Sequence, residues 1–447
     1  MGGDLIHILL TAAVLLTSVL IHAIANCFLC LREAPQLLYA IVPVYLLINM
    51  LAGTLMIRTR SRKLRICCHG TVLLAAFYVT VITSVVYHIV LAVRMFPDDL
   101  MSFVWSALWC FAALFILFWN GIICVYLTST QLGIKIRLIG AICGMIPVAN
   151  LIALFFILRA TAGECCFEGR KEQVNRRREA QRICATRYPI LMVHGVFFRD
   201  SRFFNYWGRI PEELERNGAS IFYGNHSSAA SIADCAAELA ARIDAVLAET
   251  NAEKVNIIAH SKGGLDCSYA IARLGIGDRV ASLTTINTPH KGCLFADHLL
   301  TTIDPAVKNS VAAAYNAALK KFGDPDPDFL AAVQNLTDGF CRQLDAQMPA
   351  PDGIFCQSVG SVMPKAASGQ FPLNLAYHLV RHFDGENDGL VSENSFPWGE
   401  KYTLLRPAGK RGISHGDMID LNRENIKGFD VREFYVDLVS DLKTRGL

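Results

Sequence analysis

The chain places one serine at the centre of a segment whose residue types and spacing suit covalent catalysis. The segment, Lys254–Asp266, has the sequence KVNIIAHSKGGLD, in which a short apolar run predicts a buried strand and a helix is predicted from Leu265 to Leu274. Ser261 would then lie on the sharp turn of a nucleophile elbow. Such a turn needs small residues two positions before and after the serine, and Ala259 and Gly263 meet that need, although the common pattern has glycine at the first position.

A serine hydroxyl is a weak nucleophile at neutral pH, so this chemistry requires further groups. A histidine within hydrogen-bond distance must accept the hydroxyl proton, and a carboxylate must orient that histidine. Backbone N–H groups must also stabilise the oxyanion that forms during acyl transfer. The fold has to bring all of these groups to Ser261.

Strands and helices alternate along the chain after Tyr188, which predicts a mostly parallel sheet with helices on both faces. Strands are expected at Tyr188–Gly195, Ile221–Tyr223, Lys254–Ile258, Val280–Asn287, Gly353–Val362 and Tyr402–Leu405. Helices are expected at Trp207–Asn217, Ile232–Glu249, Leu265–Leu274 and Val431–Lys443. Ser261 is expected at the carboxyl edge of this sheet.

The residues between Leu294 and Phe383 form an insertion that is predicted to be largely helical. The Asp–Pro pairs at 304–305 and 326–327 each predict an N-cap followed by a proline in the first turn, and Gly323 is expected to end the first helix. Helices at this point of the chain would overlie Ser261, so we interpret them as a lid, the alternative being a cap that never moves. Its apolar surface would come from Phe322, Phe329, Leu330 and Phe340.

The first 158 residues differ sharply in composition from the rest. Of the 42 basic and 39 acidic residues in the chain, about thirteen precede Arg159. Five apolar runs there approach or exceed the roughly twenty residues that cross a bilayer: Leu5–Leu29, Leu37–Ile57, Thr71–Val93, Met101–Leu127 and Leu138–Leu158. We predict an all-α transmembrane region of four to five spans at 1–158, a basic juxtamembrane linker at 159–187 and a catalytic domain at 188–447.

Two basic segments bear on the side of the membrane that the catalytic domain occupies. Arg58–Arg65 and Arg170–Arg187 should both be cytoplasmic, yet three predicted crossings separate them. Either the run at Leu138–Leu158 enters and leaves on one side, or the catalytic domain lies outside. The many basic residues that follow this run favour a cytoplasmic domain in a multi-pass membrane protein.

Composition also bears on possible partners. The net charge is +3, and the globular half contains no basic stripe with interleaved aromatic residues, so nucleic acid is not an expected partner. The sequence contains no glycine-rich phosphate loop, and neither a nucleotide nor a redox cofactor is expected. The fifteen cysteines do not have the spacing of a disulfide framework.

Five motifs follow one another in the globular half: His194–Gly195, Tyr206–Gly208, Ala259–Gly264, Thr288–Gly292 and Asn387–Val391. Together they resemble the bacterial true lipases of the α/β-hydrolase fold, from about residue 187 to the last residue. The resemblance implies an α/β-hydrolase catalytic domain that cleaves carboxylic esters. The membrane region lies outside it, and the secreted lipases of that family have no such spans.

In this fold the chain order of the catalytic residues is serine, acid, histidine. The resemblance assigns the acid to Asp388, which matches the acid of the family's Asp-Gly-Leu-Val motif, with Asp384 and Glu386 as alternatives. His415 is the one histidine after Asp388 and is therefore the expected base.

The expected oxyanion donors are backbone groups. The N–H of Lys262 follows the nucleophile, and the N–H of Val196 follows the His-Gly motif, so these two are predicted to form the oxyanion hole. The side chains of His194, His260 and His290 are interpreted as packing or loop-bracing groups.

Asp417 is a candidate metal ligand. It matches one carboxylate of the structural calcium site in the resembling lipases, but no Asp or Glu occurs between Asp352 and Asp384, where the family has the second. Calcium prefers about six to eight oxygen ligands with several carboxylates. We therefore expect no cofactor, and Asp417 is only a weak candidate for a calcium ligand.

These features predict a membrane-anchored serine ester hydrolase that cleaves carboxylic esters of lipids, or a similar apolar ester, through an acyl-serine intermediate. An acyltransferase would use the same triad with an alcohol or amine in place of water. A membrane or interaction protein with an inactive hydrolase domain is a further alternative, although no member of the expected triad is missing.

Overall fold

The chain forms two units, Met1–Arg177 and Arg178–Leu447. The computed structural model describes all residues except 1, 55–56, 58, 96–97, 145, 147, 197–204, 228, 322–326, 349–350, 370–373, 375, 407–408 and 410.

The N-terminal unit is helical in its described residues. Its helices are α1 (Gly2–Ala25), α2 (Phe28–Glu33), α3 (Leu38–Leu51), α4 (Arg62–Met95), α5 (Leu100–Thr128), α6 (Ile134–Cys143) and α7 (Ala149–Arg178). Four of the described helical segments are long and apolar enough to cross a membrane: Leu5–Ala25, Arg62–Met95, Leu100–Thr128 and Ala149–Gln181.

The second predicted span is shorter in the structure than in the sequence prediction. The apolar run Leu37–Ile57 forms α3, which has 14 residues and ends at Leu51. At about 1.5 Å per residue, a helix of this length is shorter than the roughly 30 Å hydrocarbon core of a bilayer. The run is apolar beyond Leu51, so its composition predicted a longer helix than the one that forms.

The fifth predicted span, Leu138–Leu158, is not one helix. The run is divided between α6, which ends at Cys143, and α7, which begins at Ala149. Glycine and proline both disfavour a helix interior, although Pro147 itself lies outside the described residues. The segment predicted as a linker, 159–187, is helical as far as Arg178, because α7 continues through it.

Helices α4 and α5 pack closely through small residues. A Cβ atom on Gly70 would lie 2.8 Å from the carbonyl oxygen of Gly121, so the two backbones approach at a distance that only glycine permits. Small residues at helix contacts are typical of helix packing in membranes, where close van der Waals contact replaces the hydrophobic driving force.

The C-terminal unit contains a six-stranded parallel sheet, as the sequence predicted. Its strands are β1 (Ile190–Val193), β2 (Ile221–Tyr223), β3 (Val255–His260), β4 (Val280–Ile286), β5 (Phe355–Ser361) and β6 (Lys401–Leu405). The order in the sheet is β2-β1-β3-β4-β5-β6, and every neighbouring pair is parallel. The elbow strand β3 therefore lies inside the sheet, between β1 and β4.

The described helices of this unit are α8 (Ile210–Arg216), α9 (Ile232–Thr250), α10 (Lys262–Arg273), α11 (Leu294–Thr302), α12 (Pro305–Lys321), α13 (Phe329–Gln334), α14 (Asp338–Gln347), α15 (Tyr377–Asp384) and α16 (Val431–Thr444). Four of them, α8, α9, α10 and α16, cover the two faces of the sheet. Ile190 and Met192 of β1 pack with α8 and α16, whereas Leu191 and Val193 pack with α9 and α10. Alternate side chains of a strand point to opposite faces, so a strand buried on both faces has a continuous apolar sequence.

Helices α11 to α14 occupy 294–347 of the predicted insertion at 294–383. The strand expected at Gly353–Val362 is β5, which pairs with β4. Asp304 caps α12 as expected, since its carboxylate accepts the N–H of Ala306 at 2.8 Å. Helix α13 is instead capped by Asp328, not by Asp326, which lies outside the described residues together with Gly323.

Candidate active site

Ser261 occupies the turn between β3 and α10, with a backbone conformation that few non-glycine residues adopt. Its φ is 56° and its ψ is −133°. The turn is closely packed: a Cβ atom on Gly263 would lie 2.4 Å from the carbonyl oxygen of His194, and one on Gly195 would lie 2.7 Å from the Cβ of Ser261. Residues of minimal size on both sides of the serine therefore permit this conformation, as the elbow interpretation requires.

Asp388 and His415 are hydrogen-bonded to each other. Oδ2 of Asp388 lies 2.7 Å from Nδ1 of His415, and both side chains are buried. The other carboxylate oxygen, Oδ1, accepts the backbone N–H groups of Leu390 at 2.9 Å and Val391 at 2.8 Å. The carboxylate is therefore held in place, and it fixes the orientation of the imidazole.

Neither alternative acid lies in this position. The carboxylate of Asp384 accepts the N–H groups of Leu294 and Phe295 at the start of α11. Glu386 pairs with Arg406 at 2.5 Å on the surface. The geometry thus favours Asp388 over both.

Asn287 is a site residue that the sequence motifs did not indicate. It follows β4 with a φ of 48°, and its Nδ2 donates to Oδ2 of Asp388 at 2.6 Å and to Oγ of Ser361 at 2.7 Å. Asn tolerates positive φ better than most residues. A polar residue directly after a buried strand was the available signal, but its contact partner lies 101 residues later.

The remaining histidines near the elbow are engaged in hydrogen bonds and ring contacts. The ring of His194 stacks on His226 with centroids 4.1 Å apart. His290 stacks on Trp398 at 4.8 Å and bonds to Thr285 at 2.9 Å, and burial lowers the pKa of its imidazole to about 3. These contacts agree with the predicted bracing roles of the two histidines.

Ser261, His415 and Val196 line one apolar cavity of about 410 Å³. Much of its wall comes from the insertion, through three residues of α11, several of α12 and three of α13. Phe329 and Leu330 contribute to it as predicted, Phe340 is not among its lining residues and Phe322 lies outside the described residues. A cavity of this size and character suits the apolar part of a small ligand.

Lys262, the other predicted oxyanion donor, has a completely buried side chain. Its Nζ lies 2.6 Å from Oδ1 of Asp266, one helical turn along α10, and 3.3 Å from Sγ of Cys235. Burial raises the pKa of the Asp266 carboxyl to about 6, although the ammonium group of Lys262 acts in the opposite direction. The buried ammonium and carboxylate groups thus form an ion pair within α10, the helix that begins directly after Ser261.

Two groups of side chains contain candidate metal ligands. The ligand atoms of His226, Cys235 and Asp266 lie within 4.8 Å of one another, but the ammonium group of Lys262 already contacts two of these residues. At the second place the carboxylate oxygens of Asp417 each lie 3.0 Å from the guanidinium of Arg411. Because a protein cation contacts the carboxylate at each place, neither donor set fits a divalent cation.

Comparison with known proteins identifies the fold. A family model described as the alpha/beta hydrolase fold matches residues 188–387. The C-terminal unit has the α/β-hydrolase fold. The predicted similarity to bacterial triacylglycerol lipases is also confirmed: the chain is 36% identical to the enzyme of Pseudarthrobacter phenanthrenivorans over 183 residues, which are 38% of this chain and 57% of that protein.

Two further similarities extend along the hydrolase unit. The triacylglycerol lipase of Pseudomonas fragi is 29% identical over 294 residues, covering 59% of this chain and 98% of that protein. The crystal structure of Staphylococcus hyicus lipase aligns with a TM-score of 0.45 and 18% identity, covering 58% of this chain and 97% of that one. The chain spans 57% of the length of the P. phenanthrenivorans lipase. It spans 51% of the length of the triacylglycerol lipase of Burkholderia plantarii.

Asp266→Asn should strongly destabilise the protein, because it leaves the buried Lys262 ammonium without a carboxylate. We expect a loss of about 3 to 5 kcal/mol in the free energy of unfolding, measured by denaturation of the full chain in detergent. Asp244→Asn removes a half-exposed partner of Arg279 and is the control, with an expected loss below about 1 kcal/mol. Equal losses in the two variants would contradict the importance of the buried pair.

Chelation of divalent cations should leave both ester hydrolysis and melting temperature unchanged. The reason is that Arg411 already neutralises Asp417 and also binds Glu424 at 2.9 Å. The measurement compares the protein before and after treatment with EDTA. A loss on chelation that added calcium reverses would show that Asp417 takes part in a metal site after all.

Proposed function

We propose that the chain is a membrane-anchored serine hydrolase that cleaves carboxylic esters of lipids. The observation that carries the proposal is the 2.7 Å contact between Asp388 and His415, whose imidazole lines the same apolar cavity as Ser261. An oriented histidine beside an elbow serine is the arrangement that serine acyl transfer requires. The triacylglycerol lipases among its relatives support the same reaction class.

In the proposed reaction, Oγ of Ser261 attacks the ester carbonyl carbon while Nε2 of His415 accepts the hydroxyl proton. The oxyanion receives hydrogen bonds from the backbone N–H groups of Val196 and Lys262. The ester C–O bond then breaks, His415 returns the proton to the departing alcohol, and the acyl group stays on Ser261. Water then attacks this acyl-serine while His415 takes one of its protons. The bond between Oγ of Ser261 and the acyl carbon breaks, His415 returns the proton to Oγ, and the carboxylic acid leaves.

The cavity supports an apolar acyl group as the part of the substrate that is recognised. Its described lining consists mainly of aliphatic and aromatic side chains, and Lys308 is the one lysine, arginine, aspartate or glutamate among them. A polar acyl group would lose its hydration against this mostly apolar wall. An acyltransferase would form the same acyl-serine, so the acceptor, and not the acyl group, separates the two activities.

The four helices that are long enough to span a bilayer support the anchoring part of the proposal. Anchoring in a bilayer raises the effective concentration of lipid substrates at the enzyme, in the way that a tether raises that of a linked ligand. The cytoplasmic location of the catalytic unit stays a prediction from the basic segments.

Replacement of Ser261, Asp388 or His415 by Ala should each abolish most ester hydrolysis while the melting temperature changes little. Because the members of a triad act as a unit, the Ser261→Ala/His415→Ala double variant should be about as active as either single variant. A fluorophosphonate probe should label the native chain in membranes but not Ser261→Ala. Labelling that persists in Ser261→Ala, or losses that simply multiply, would contradict the assignment.

A chain shortened to begin at Arg178 should keep hydrolysis of short soluble esters but lose most activity on long-chain lipids in vesicles. The reason is that the anchor delivers lipid and has no part in the chemistry. The two proteins should be compared at equal active-site concentration, counted with the fluorophosphonate probe. A loss on both substrates would mean that the helices are needed for folding, and a loss on neither would exclude a role in substrate delivery.

A further inference from the structure

The hydroxyl group of Tyr206 lies between two parts of the proposed active site. Its oxygen is 3.0 Å from the backbone nitrogen of Gly195, the residue that precedes the proposed oxyanion donor Val196. The same oxygen is 2.7 Å from Nδ1 of His260, the residue that precedes Ser261. The other ring nitrogen of His260, Nε2, is 3.2 Å from the carbonyl oxygen of His415. The side chains of Tyr206, His260 and His415 are all buried.

The contacts from His415 through His260 and Tyr206 to Gly195 form a path of hydrogen bonds. The donors and acceptors along it are compatible with one arrangement of protons. The carbonyl oxygen of His415 can only accept, so Nε2 of His260 carries a proton and donates it. A neutral imidazole then has Nδ1 as an acceptor, which receives the Tyr206 hydroxyl proton, and the hydroxyl oxygen accepts the N–H of Gly195. Burial, together with His415, lowers the pKa of the His260 imidazole well below its ordinary value, which agrees with a neutral ring.

The path acts on the backbone at the point where the oxyanion would form. Gly195 is held at its N–H by Tyr206 and at its carbonyl oxygen by Nδ1 of His194, 2.9 Å away. The carbonyl of Gly195 and the N–H of Val196 belong to one planar peptide, so the contact with His194 orients the Val196 N–H directly. Tyr206 holds the preceding peptide through the N–H of Gly195, and the two contacts together limit rotation about the Cα of Gly195. A displacement of a reacting group by about 1 Å can reduce the rate about 100-fold, so this orientation matters to the chemistry.

We propose that Tyr206 and His260 are positioning residues, which hold the Val196 N–H and the backbone of His415 in register with Ser261. This role rests on the proposed function, because it concerns the same site. It assigns to the Tyr206 hydroxyl a task in the chemical step that is separate from its place in the cavity wall. The sequence predicted that His260 is a packing or loop-bracing residue, and the proposal adds this positioning role.

The test is Tyr206→Phe in the full chain, which removes one oxygen atom and keeps the aromatic ring that lines the cavity. With a soluble p-nitrophenyl ester, we expect kcat to fall by about 10- to 100-fold while KM stays within about twofold. The rate of fluorophosphonate labelling should fall in parallel, because that reaction also places a developing negative charge in the oxyanion hole. The melting temperature should change little.

Ser282→Ala is the matched control. It also removes a buried hydroxyl, which donates to Asn256 at 2.7 Å, but it lies near the amino end of β4, away from the elbow. We expect native kcat and KM for this variant. An equal loss of kcat in Ser282→Ala would mean that loss of any buried hydrogen bond has this effect, and the proposal would fail.

A second variant tests whether Tyr206 acts through His260. Gln in place of His260 could still donate to the carbonyl of His415 but offers no acceptor at the position of Nδ1. In the His260→Gln background, Tyr206→Phe should therefore cost less than about twofold, since residues in one network are not additive. Fully multiplicative losses would show that the two side chains act separately.

The outcomes separate this proposal from the proposed function. A native chain that the probe labels, combined with unchanged kcat in Tyr206→Phe, would overturn only the positioning role. A rise in KM at unchanged kcat would also overturn it, because Tyr206 would then serve only as part of the cavity wall. A native chain that the probe does not label at all would contradict the proposed function itself.

Discussion

The backbone conformation of Ser261 is the constraint on which the rest of the hydrolase unit depends. A non-glycine residue at positive φ outside the common regions costs about 1 to 3 kcal/mol, so its surroundings must compensate. The N–H of Ser261 donates to the carbonyl of Ile286 at 2.9 Å, and its own carbonyl accepts the hydroxyl of Thr288 at 2.8 Å. Both partners belong to the end of β4 and the loop after it. The neighbouring strand therefore holds the elbow from both sides of the serine.

The same strand connects the elbow to the acid. Asn287 lies between the two residues that hold Ser261, and its side chain donates to Asp388. The backbone of His415 is tied to Asp388 as well, since its N–H donates to the carbonyl of Asp388 at 2.9 Å. Parallel strands deliver their following loops to one edge of the sheet, so residues distant in sequence meet there. A change in the register of β4 would therefore displace the acid and the nucleophile together.

The features that the sequence predicted correctly are those set by local constraints. β2 is a short apolar segment with the predicted limits, and the elbow was evident because its glycines are required by sterics close in sequence. The start of α13 was misplaced because Asp324 to Asp328 alternate aspartate and proline, so several positions carry the same capping signal. The roles of Asn287 and Tyr206 could not be predicted, since each depends on which loop lies opposite across the fold. The same holds for the pairing of Arg411 with Asp417.

The buried charges around the site explain why one carboxylate is suited to the chemistry. Asp266, Asp417 and Asp420 are buried, and each has a permanently charged partner, namely Lys262, Arg411 and Arg209. Such pairs offset the large cost of burying a single charge. Asp388 is also buried, yet within the described part of the chain its carboxylate contacts neutral donors and the imidazole of His415. Its negative charge is therefore uncompensated until His415 takes up a proton. In the proposed reaction His415 takes up this proton when Ser261 attacks, so the attraction between Asp388 and His415 becomes strongest as the transition state forms. An interaction that is stronger in the transition state than with bound substrate lowers the barrier.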